Sequence, residues 1–170
     1  MLKILYTRRK IASDRFLADV LREEGVTAPV LRGKNGKPFL AGDPLFLSLT
    51  HSGDLTAVAI CDEAVGLDAE DTLKPRAYSA VLAGMPPEER EEITGMPPFY
   101  LHWTAKESYI KFRGETLAKL YRRLAFVGGV LSLDEKPLPV FLTNGALYGG
   151  RYVFCACTAT PQNPVTVSAD

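Results

Sequence analysis

The chain has 170 residues, a length typical of one domain, and its 20 Lys and Arg residues balance 20 Asp and Glu residues. This neutral charge argues against a general nucleic-acid-binding protein, which usually carries a basic excess, although a local basic patch is compatible with it. Apolar runs are too short for a membrane-spanning helix, and the N-terminal segment lacks the order of a secretory signal peptide. Three cysteines without a paired framework argue against a disulfide scaffold, so we expect a cytoplasmic protein.

The first forty residues predict a strand, a helix and a loop. LKILY (2–6) has the apolar character of a short strand. Apolar residues recur on one face of SDRFLADVLREE (13–24), which predicts a helix with Ser13 as its N-cap and Gly25 as its stop signal. The polar, Gly-rich segment 32–40 predicts a loop.

Strand-like runs follow as far as residue 70. They occupy 45–50, 55–62 and 64–70, and the turn signals HSGD and DE separate them. Apolar runs divided by short turns predict a hairpin or a meander.

The middle of the chain predicts helices, and its end predicts strands. Gly-Met-Pro-Pro breaks end two short helices, and a longer helix starts beyond the second break. The predicted helices are 75–83, 87–93 and 98–113. The predicted strands after them are 124–133, 139–143, 151–159 and the C-terminal VTVS. Because strands and helices do not alternate regularly, this order favours a single α+β domain over a doubly wound fold.

Two carboxylates share one face of the predicted strand 64–70. Side chains alternate along a strand, so Asp68 and Glu70 point to one side while Val65 and Leu67 point to the other. If the acidic face is solvated, the pair is ordinary surface charge. If it is partly buried, mutual repulsion raises the pKa of one carboxyl group unless a cation lies between them.

The predicted helix 98–113 contains a second charged group, WTAKESYIK, beside an apolar stripe. At about 100° per residue, four side chains cluster on that stripe: Phe99, Trp103, Lys106 and Ile110. Glu107 lies at the edge of the stripe, and Lys111 lies one turn further on. A Glu–Lys pair on a surface helix contributes only about 0.2–0.5 kcal/mol. A Glu at the rim of an aromatic face also fits a functional site, and both interpretations stay open.

Two loops add groups that bind phosphate. LTHSGD (49–54) offers a hydroxyl, an imidazole and backbone amides, and GKNGKPFL (33–40) offers Lys34 and Lys37. Neither loop matches a Walker motif or a dinucleotide-binding motif, and a His in a turn is more often structural. Together with three carboxylates, which suit Mg²⁺, these groups indicate a phosphoryl-transfer site.

Four segments occur in an order that is typical of a known family. They are GKPFL (36–40), LSLTHSGD (47–54), VGLDAEDT (65–72) and FYLHWTAKESYIK (99–111). In this order they resemble the 4′-phosphopantetheinyl transferases, most closely the Sfp type, from about residue 13 to residue 111. The resemblance implies an α+β fold whose two similar halves, roughly 1–70 and 71–170, are related by pseudo-two-fold symmetry, with coenzyme A in the cleft between them. A chain that carries both halves is expected to be a monomer.

The resemblance also implies a role for each matching residue. Asp68, Glu70 and Glu107 match ligands of Mg²⁺, with Mn²⁺ as an alternative metal, and Glu107 also matches a catalytic general base. Lys106 and Lys111 match lysines near the coenzyme A pyrophosphate, and Lys111 is the second catalytic candidate. The other implied coenzyme A contacts are Arg15, Gly36, Lys37, Pro38, Thr50 and His51, with Thr50 in place of the commoner Ser.

The implied activity is Mg²⁺-dependent transfer of 4′-phosphopantetheine from coenzyme A to a serine of an apo acyl or peptidyl carrier protein, with release of 3′,5′-ADP. Two alternatives use the same fold: a Mg²⁺-dependent phosphohydrolase and a non-catalytic coenzyme A-binding protein. The segment before the first helix is short, so the ligands of the 3′-phosphate stay open: Arg8, Arg9 and Lys10 are candidates, but a solvated basic cluster is the favoured interpretation of these three residues. The Met-Pro-rich stretch 84–98 is either a carrier-docking surface or an ordinary connector.

Overall fold

Two β-sheets and one long helix position the candidate site. The structure is a computed structural model, and it describes residues 1–74 and 78–170. Its strands are β1 Leu2–Thr7, β2 Val30–Arg32, β3 Pro38–Leu40, β4 Phe46–Ser52, β5 Leu55–Cys61, β6 Val65–Asp71, β7 Leu124–Val127, β8 Val130–Leu133, β9 Lys136–Pro137, β10 Phe141–Leu147, β11 Tyr152–Thr158 and β12 Val165–Ser168. Its helices are α1 Ser13–Glu23, α2 Tyr78–Leu82, α3 Pro87–Glu92, α4 Met96–Arg113 and α5 Leu117–Leu120, with 3₁₀ turns at Tyr121–Arg123 and Tyr148–Gly150.

The first sheet has the strand order β12-β1-β5-β4, with β1 parallel to β12 and the other pairs antiparallel. The predicted hairpin of β4 and β5 is therefore confirmed. Helix α1 begins at Ser13, but Ala12 occupies the N-cap position and no side chain caps the helix there, so the prediction of Ser13 as N-cap is wrong. The helix packs on the sheet through four buried residues: Phe16, Leu17, Val20 and Leu21.

The second sheet has the order β10-β11-β6 and is antiparallel throughout. Strand β6 pairs with β11 and not with β5, so the predicted meander is wrong beyond β5. Every residue of β6 is buried, because one face packs against Leu55 and Ala57 of the first sheet and the other lies against α4. This burial on both faces places the carboxylates of β6 inside the protein.

Two predicted segments are hairpins in the structure. The segment 32–40, predicted as a loop, contains the turn and second strand of the β2–β3 hairpin, with Gly36 at φ +81°. The run 124–133, predicted as one strand, divides into β7 and β8 at Gly128 and Gly129, whose φ angles are +56° and +79°. Glycine adopts these angles without a Cβ clash, so it allows a tight turn inside an otherwise strand-like run.

The helical segment lies between the two groups of strands, and the predicted α+β class is confirmed. Helix α4 begins at Met96, two residues before its predicted start, with two prolines in its first turn, where their missing N–H groups cost no hydrogen bond. The first three residues of the predicted helix 75–83 lie outside the described residues. Met85, considered for a docking surface, is buried in a cluster with Trp103. None of the described helices is long and apolar enough to cross a membrane.

Candidate active site

Strand β6 and helix α4 approach each other more closely than side chains normally allow. A Cβ atom on Gly66 would lie 1.9 Å from the backbone oxygen of Ser108 and 2.3 Å from the backbone nitrogen of Phe112. A larger residue would therefore collide with helix backbone, which has no alternative rotamer. Glycine at this position sets the distance between the strand that holds two of the predicted carboxylates and the helix that holds the third.

Helix α4 contacts both carboxylates of β6. The Trp103 indole Nε1 donates to Glu70 Oε1 at 2.7 Å, and the Lys111 ammonium donates to Asp68 Oδ1 at 2.7 Å. Trp103, Glu107 and Lys111 are spaced four residues apart, so they share one face of the helix. Glu107 therefore lies on the helix between the two contacts, one helical turn from each, and this face of α4 lines the candidate cleft together with the acidic face of β6.

Asp68 is only 5% exposed, so the interpretation of its strand face as solvated is wrong. The Thr50 hydroxyl of β4 donates to Asp68 Oδ1 at 3.3 Å and accepts from Lys111 at 3.0 Å. Burial raises the pKa of Asp68, and the positive charge of Lys111 opposes this shift. Its second oxygen, Oδ2, is buried without a hydrogen-bond partner among the described residues. A buried polar atom without a partner is costly, which marks Oδ2 as an acceptor for a ligand.

The donor chemistry of this cleft fits a hard divalent cation. Carboxylate oxygens are the ligands that Mg²⁺ and Mn²⁺ prefer, and Asp68 Oδ2 is an oxygen of this kind. The side chains do not form a compact ligand set as they stand. Within residues 1–74 and 78–170, no three His, Cys, Asp or Glu side chains converge into a metal-binding group.

A known protein family matches the region that holds this cleft. The family model described as "4′-phosphopantetheinyl transferase superfamily" matches residues 64–155, which include β6, α4 and β11. The chain belongs to the 4′-phosphopantetheinyl transferase superfamily. The family predicted from the order of the motifs is therefore confirmed.

The matches to individual transferases cover part of each protein. The 4′-phosphopantetheinyl transferase AcpT of Salmonella typhi is 39% identical over 139 residues, which cover 76% of this chain and 66% of that protein. The 4′-phosphopantetheinyl transferase psf-1 of Bacillus pumilus is 29% identical over 139 residues, with 75% and 59% covered. AcpT of Escherichia coli (strain K12) is 37% identical over 95 residues, with 50% and 48% covered. The chain thus spans about two thirds or less of the length of these transferases.

In this member of the transferase superfamily, Lys106 does not face the cleft. Its ammonium is fully buried, donates to Glu89 Oε2 at 2.8 Å and lies 4.4 Å from the centre of the Tyr121 ring. Burial lowers the pKa of Lys106, and the negative charge of Glu89 opposes this shift. The expected contact of Lys106 with the pyrophosphate is wrong for this structure, because the residue belongs to an internal ion pair that joins α3 to α4.

Thr50 and His51 diverge, because neighbouring side chains of a strand point to opposite faces. The Thr50 hydroxyl is buried beside the Lys111 ammonium, so it orients that lysine and does not lie open to solvent. His51 is exposed and lines a cavity of about 300 Å³ together with Arg9 and Lys10. The two residues therefore belong to different parts of the site.

Lys37 turns away from the cleft. Its ammonium donates to the backbone oxygens of Val65, at 2.8 Å, and Phe112, at 3.1 Å, which ties the hairpin to the start of β6 and the end of α4. Burial lowers the pKa of Lys37 to about 8. The ammonium therefore binds backbone oxygens of the protein itself, while the side chain also lines a neighbouring cavity. This cavity, of about 190 Å³, lies beside the hairpin and is lined by residues that include Gly36, Lys37, Pro38 and Lys111.

Arg15 remains outside the cleft. It is exposed on α1, and its guanidinium binds Asp19 one helical turn further on, at 3.2 Å. The structure does not bring it to the cavity beside His51. Arg8 is engaged as well, since two of its nitrogens donate to Asp54 Oδ2 at 3.0 and 2.7 Å. Both arginines are paired with acids of the protein itself.

Some residues that shape the site were not predicted. Glu89, the partner of Lys106, is fully buried although it lies in the acid-rich run PEEREE, and no local signal separates it from its exposed neighbours. Ser48 and Ser52 of β4 were not predicted either, in contrast to Thr50 between them, although the sequence carries a signal for both serines. Ser48, Thr50 and Ser52 occupy every second position of a strand whose other face is mainly apolar, so they share one face.

Proposed function

We propose that this chain transfers 4′-phosphopantetheine from coenzyme A to a serine of an apo acyl or peptidyl carrier protein and releases 3′,5′-ADP. The observation that carries the proposal is the face of Trp103, Glu107 and Lys111 on α4, set against Glu70 and Asp68 of β6. Three carboxylates and a lysine on facing elements suit a diphosphate with its divalent cation. Relatives named 4′-phosphopantetheinyl transferases support the same chemistry.

In this proposal, Asp68, Glu70 and Glu107 hold Mg²⁺, or Mn²⁺ in its place. Asp68 contributes the Oδ2 atom that has no partner among the described residues. Glu107 faces the same cleft from the helix. When bound, the ion neutralises and polarises the diphosphate of coenzyme A.

The residues of this cleft can supply the proton acceptor and the charge stabilisation that the transfer step needs. The serine oxygen of the carrier attacks the β-phosphorus of coenzyme A and forms a new oxygen–phosphorus bond. The bond from that phosphorus to the bridging oxygen breaks, and 3′,5′-ADP leaves with the electron pair. Glu107 accepts the serine proton, directly or through one water. Lys111 is 29% exposed at its side chain, so it can exchange Asp68 for a phosphate oxygen and stabilise the leaving group.

The nucleotide part of coenzyme A has two candidate positions. The cavity beside Gly36 and Pro38 is also lined by Lys111. Because it reaches the lysine of the cleft, this cavity suits the adenosine end of the substrate. The cavity lined by His51, Arg9 and Lys10 also contains Asp54, so two cationic side chains face one acid there, and this excess of positive charge suits the 3′-phosphate. These assignments leave out Lys106 and the Lys37 ammonium, which are engaged inside the protein.

We also propose that the protein is a monomer and that it is located in the cytoplasm. A single chain supplies β4, β6 and α4 to the cleft, which supports a monomer. The cysteines at 61, 155 and 157 are free and buried, which is consistent with a reducing compartment such as the cytoplasm.

Intact-mass spectrometry tests the activity. The protein is incubated with coenzyme A, Mg²⁺ and a panel of apo carrier proteins, in parallel with Glu107→Gln and with Glu91→Gln, which changes an exposed Glu of α3. We expect one carrier or more to gain a phosphopantetheine group. The gain should disappear with EDTA and with Glu107→Gln, because ligand and base are removed, and it should persist with Glu91→Gln.

The alternatives give different results in the same assay. Release of 3′,5′-ADP without any carrier supports the phosphohydrolase. Calorimetric binding of coenzyme A without transfer or hydrolysis supports the non-catalytic binding protein. A chain that neither binds coenzyme A nor modifies any carrier contradicts the proposal.

A further inference from the structure

Hydroxyl side chains bridge the two sheets beside the cleft. Strand β4 pairs with β5, and β6 pairs with β11, so side chains make the connection between β4 and β6. The backbone N–H of Leu67 donates to Ser48 Oγ at 2.9 Å, and that of Asp71 donates to Ser52 Oγ at 3.0 Å. The two serines thus tie the two ends of the acidic stretch of β6 to the first sheet.

Ser52 makes a second contact, to a carboxylate of the cleft. Its hydroxyl donates to Glu70 Oε2 at 2.8 Å, while the Trp103 indole donates to Glu70 Oε1 at 2.7 Å. Because the Asp71 N–H already donates to Ser52 Oγ, the hydroxyl proton is directed at Glu70. Each oxygen of Glu70 therefore receives a hydrogen bond from a buried residue, one on the strand and one on the helix.

These two hydrogen bonds hold both oxygens of a buried side chain and so contribute to fixing its direction. Glu loses considerable rotamer entropy when it is ordered, so a carboxylate ordered in advance binds a cation at lower entropic cost. We propose that Ser52 is a positioning residue that orients Glu70 for cation binding, an inference that rests on the proposed transferase function. Ser52 acts through Glu70 and does not touch the substrate.

Ser48 is a matched control in the same strand. Ser48 and Ser52 are 2% and 3% exposed, and each accepts one backbone N–H from β6. Within the described part of the chain, no carboxylate accepts a hydrogen bond from Ser48. Removal of either hydroxyl therefore costs one buried hydrogen bond from a backbone N–H of β6, and removal of the Ser52 hydroxyl also costs its hydrogen bond to Glu70.

The experiment compares Ser52→Ala, Ser48→Ala and Ser52→Thr in the full chain. Calorimetry measures the melting temperature, and electron paramagnetic resonance measures Mn²⁺ binding in the presence of coenzyme A. Both Ala variants should melt at a lower temperature: Ser48→Ala by about 2–4 °C, because it loses one buried hydrogen bond, and Ser52→Ala by more, because it loses two. Only Ser52→Ala should weaken Mn²⁺ binding, by about 10-fold, as expected for a residue that orients a metal ligand. Ser52→Thr keeps the hydroxyl and should restore the affinity.

Trp103 provides a second readout that needs neither metal nor coenzyme. It is the single tryptophan of the chain, and its indole binds Glu70 directly. Release of Glu70 from Ser52 changes that hydrogen bond, so the emission maximum of Ser52→Ala should shift relative to wild type and to Ser48→Ala. If Ser52→Ala does not fold, Ser52→Cys replaces it, because the thiol nearly keeps the volume but is a weak donor.

The outcomes separate this inference from the proposed function. Equal Mn²⁺ affinity of the variants at 48 and 52, or emission spectra that do not distinguish them, would overturn the positioning role of Ser52. A wild-type protein that binds neither Mn²⁺ nor coenzyme A would contradict the transferase proposal instead. In that case the emission spectra alone would still decide whether Ser52 orients Glu70.

Discussion

Lys106 and Lys111 lie five residues apart on α4, in one short motif, and the structure uses them in opposite ways. Lys106 is fully buried and bound to Glu89, which is fully buried as well. Lys111 is partly exposed and binds Asp68 and Thr50 at the cleft. One lysine is a fixed part of the scaffold, whereas the other is able to change partners.

The difference follows from helix geometry and from the cost of burying charge. Lys111 shares the face of Trp103 and Glu107, which lies along β6, whereas Lys106 projects toward α3. A fully buried ammonium requires a fixed anion, because its desolvation is repaid only by close pairing. A lysine at the edge of a cleft keeps part of its hydration, so it can move between a carboxylate and a phosphate. Burial, and not the motif, therefore indicates which lysine is able to meet the substrate.

The largest expected effect is the loss of stability in Lys106→Met. This change leaves the buried Glu89 without its ammonium partner and with only the His102 Nδ1 contact at 3.3 Å among the described residues, so we expect the free energy of unfolding to fall by about 3–5 kcal/mol in urea titrations. Glu89→Leu in the same chain should recover much of the loss, because both buried charges are then gone. Coenzyme A affinity, measured at low temperature on the folded fraction, should change little. A stable Lys106→Met protein that no longer binds coenzyme A would restore the phosphate role expected from the sequence.

Gly66→Ala should have the next largest effect, because it separates the strand from the helix on the cleft side. The new methyl group meets the helix backbone, so we expect a loss of about 1–3 kcal/mol in the free energy of unfolding. Transfer activity should fall as Glu107 moves away from β6. Gly33→Ala is the control, since its Cβ would make an ordinary contact at 3.7 Å. Wild-type stability and activity in Gly66→Ala would refute this close approach.

Lys111→Met should have the opposite effects to Lys106→Met: a clear loss of coenzyme A affinity and a small loss of stability. We expect the dissociation constant for coenzyme A to rise about 10-fold, which corresponds to about 1.4 kcal/mol, because a charge-assisted hydrogen bond to phosphate is lost. The free energy of unfolding should change by less, since Lys111 is partly solvated. Calorimetry and urea titration measure the two quantities. Unchanged affinity for coenzyme A would show that Lys111 binds only Asp68.

The sequence predicted those features of the site that depend only on the period of a strand or a helix, because that period decides which side chains share a face. The two-residue period of β6 placed Asp68 and Glu70 on one face, and the structure shows them together. The helical period placed Lys106 on the apolar stripe, which correctly indicates burial, while the resemblance assigned it to a phosphate. The physical pattern was the better guide to this residue.

The features that sequence did not predict depend on contacts between distant segments. Nothing near β6 specifies β11 as its partner, because the pairing joins residues that are 81 (Asp71 and Tyr152) to 93 (Val65 and Thr158) positions apart. Glu89 resembles its exposed neighbours until α3 packs on α4. The turn at Gly128 and Gly129 divides a long apolar run that predicts a single strand, although glycine pairs are a known turn signal.

Lys37 differs from Lys106 and Lys111, because its ammonium binds two backbone carbonyl oxygens and not a carboxylate. Burial lowers its pKa to about 8 in the folded protein, from 10.5 in the unfolded chain. Between these values the unfolded chain holds a proton that the folded chain has released, so the free energy of unfolding rises with pH. Below about pH 8 both states are protonated, and this contribution to the slope vanishes.

Lys37→Met isolates that contribution, because the other titrating groups are common to both proteins. The difference in unfolding free energy between wild type and Lys37→Met should rise by about 1 kcal/mol per pH unit between pH 8 and 10.5, less than the full 1.4 because the lysine is partly solvated. Urea titrations across this range measure the difference. A flat or falling difference would mean that the two carbonyls hold the ammonium as firmly as Glu89 holds Lys106. Lys37 would then count as a scaffold lysine, and an acidic partner would not be required to keep a buried lysine charged.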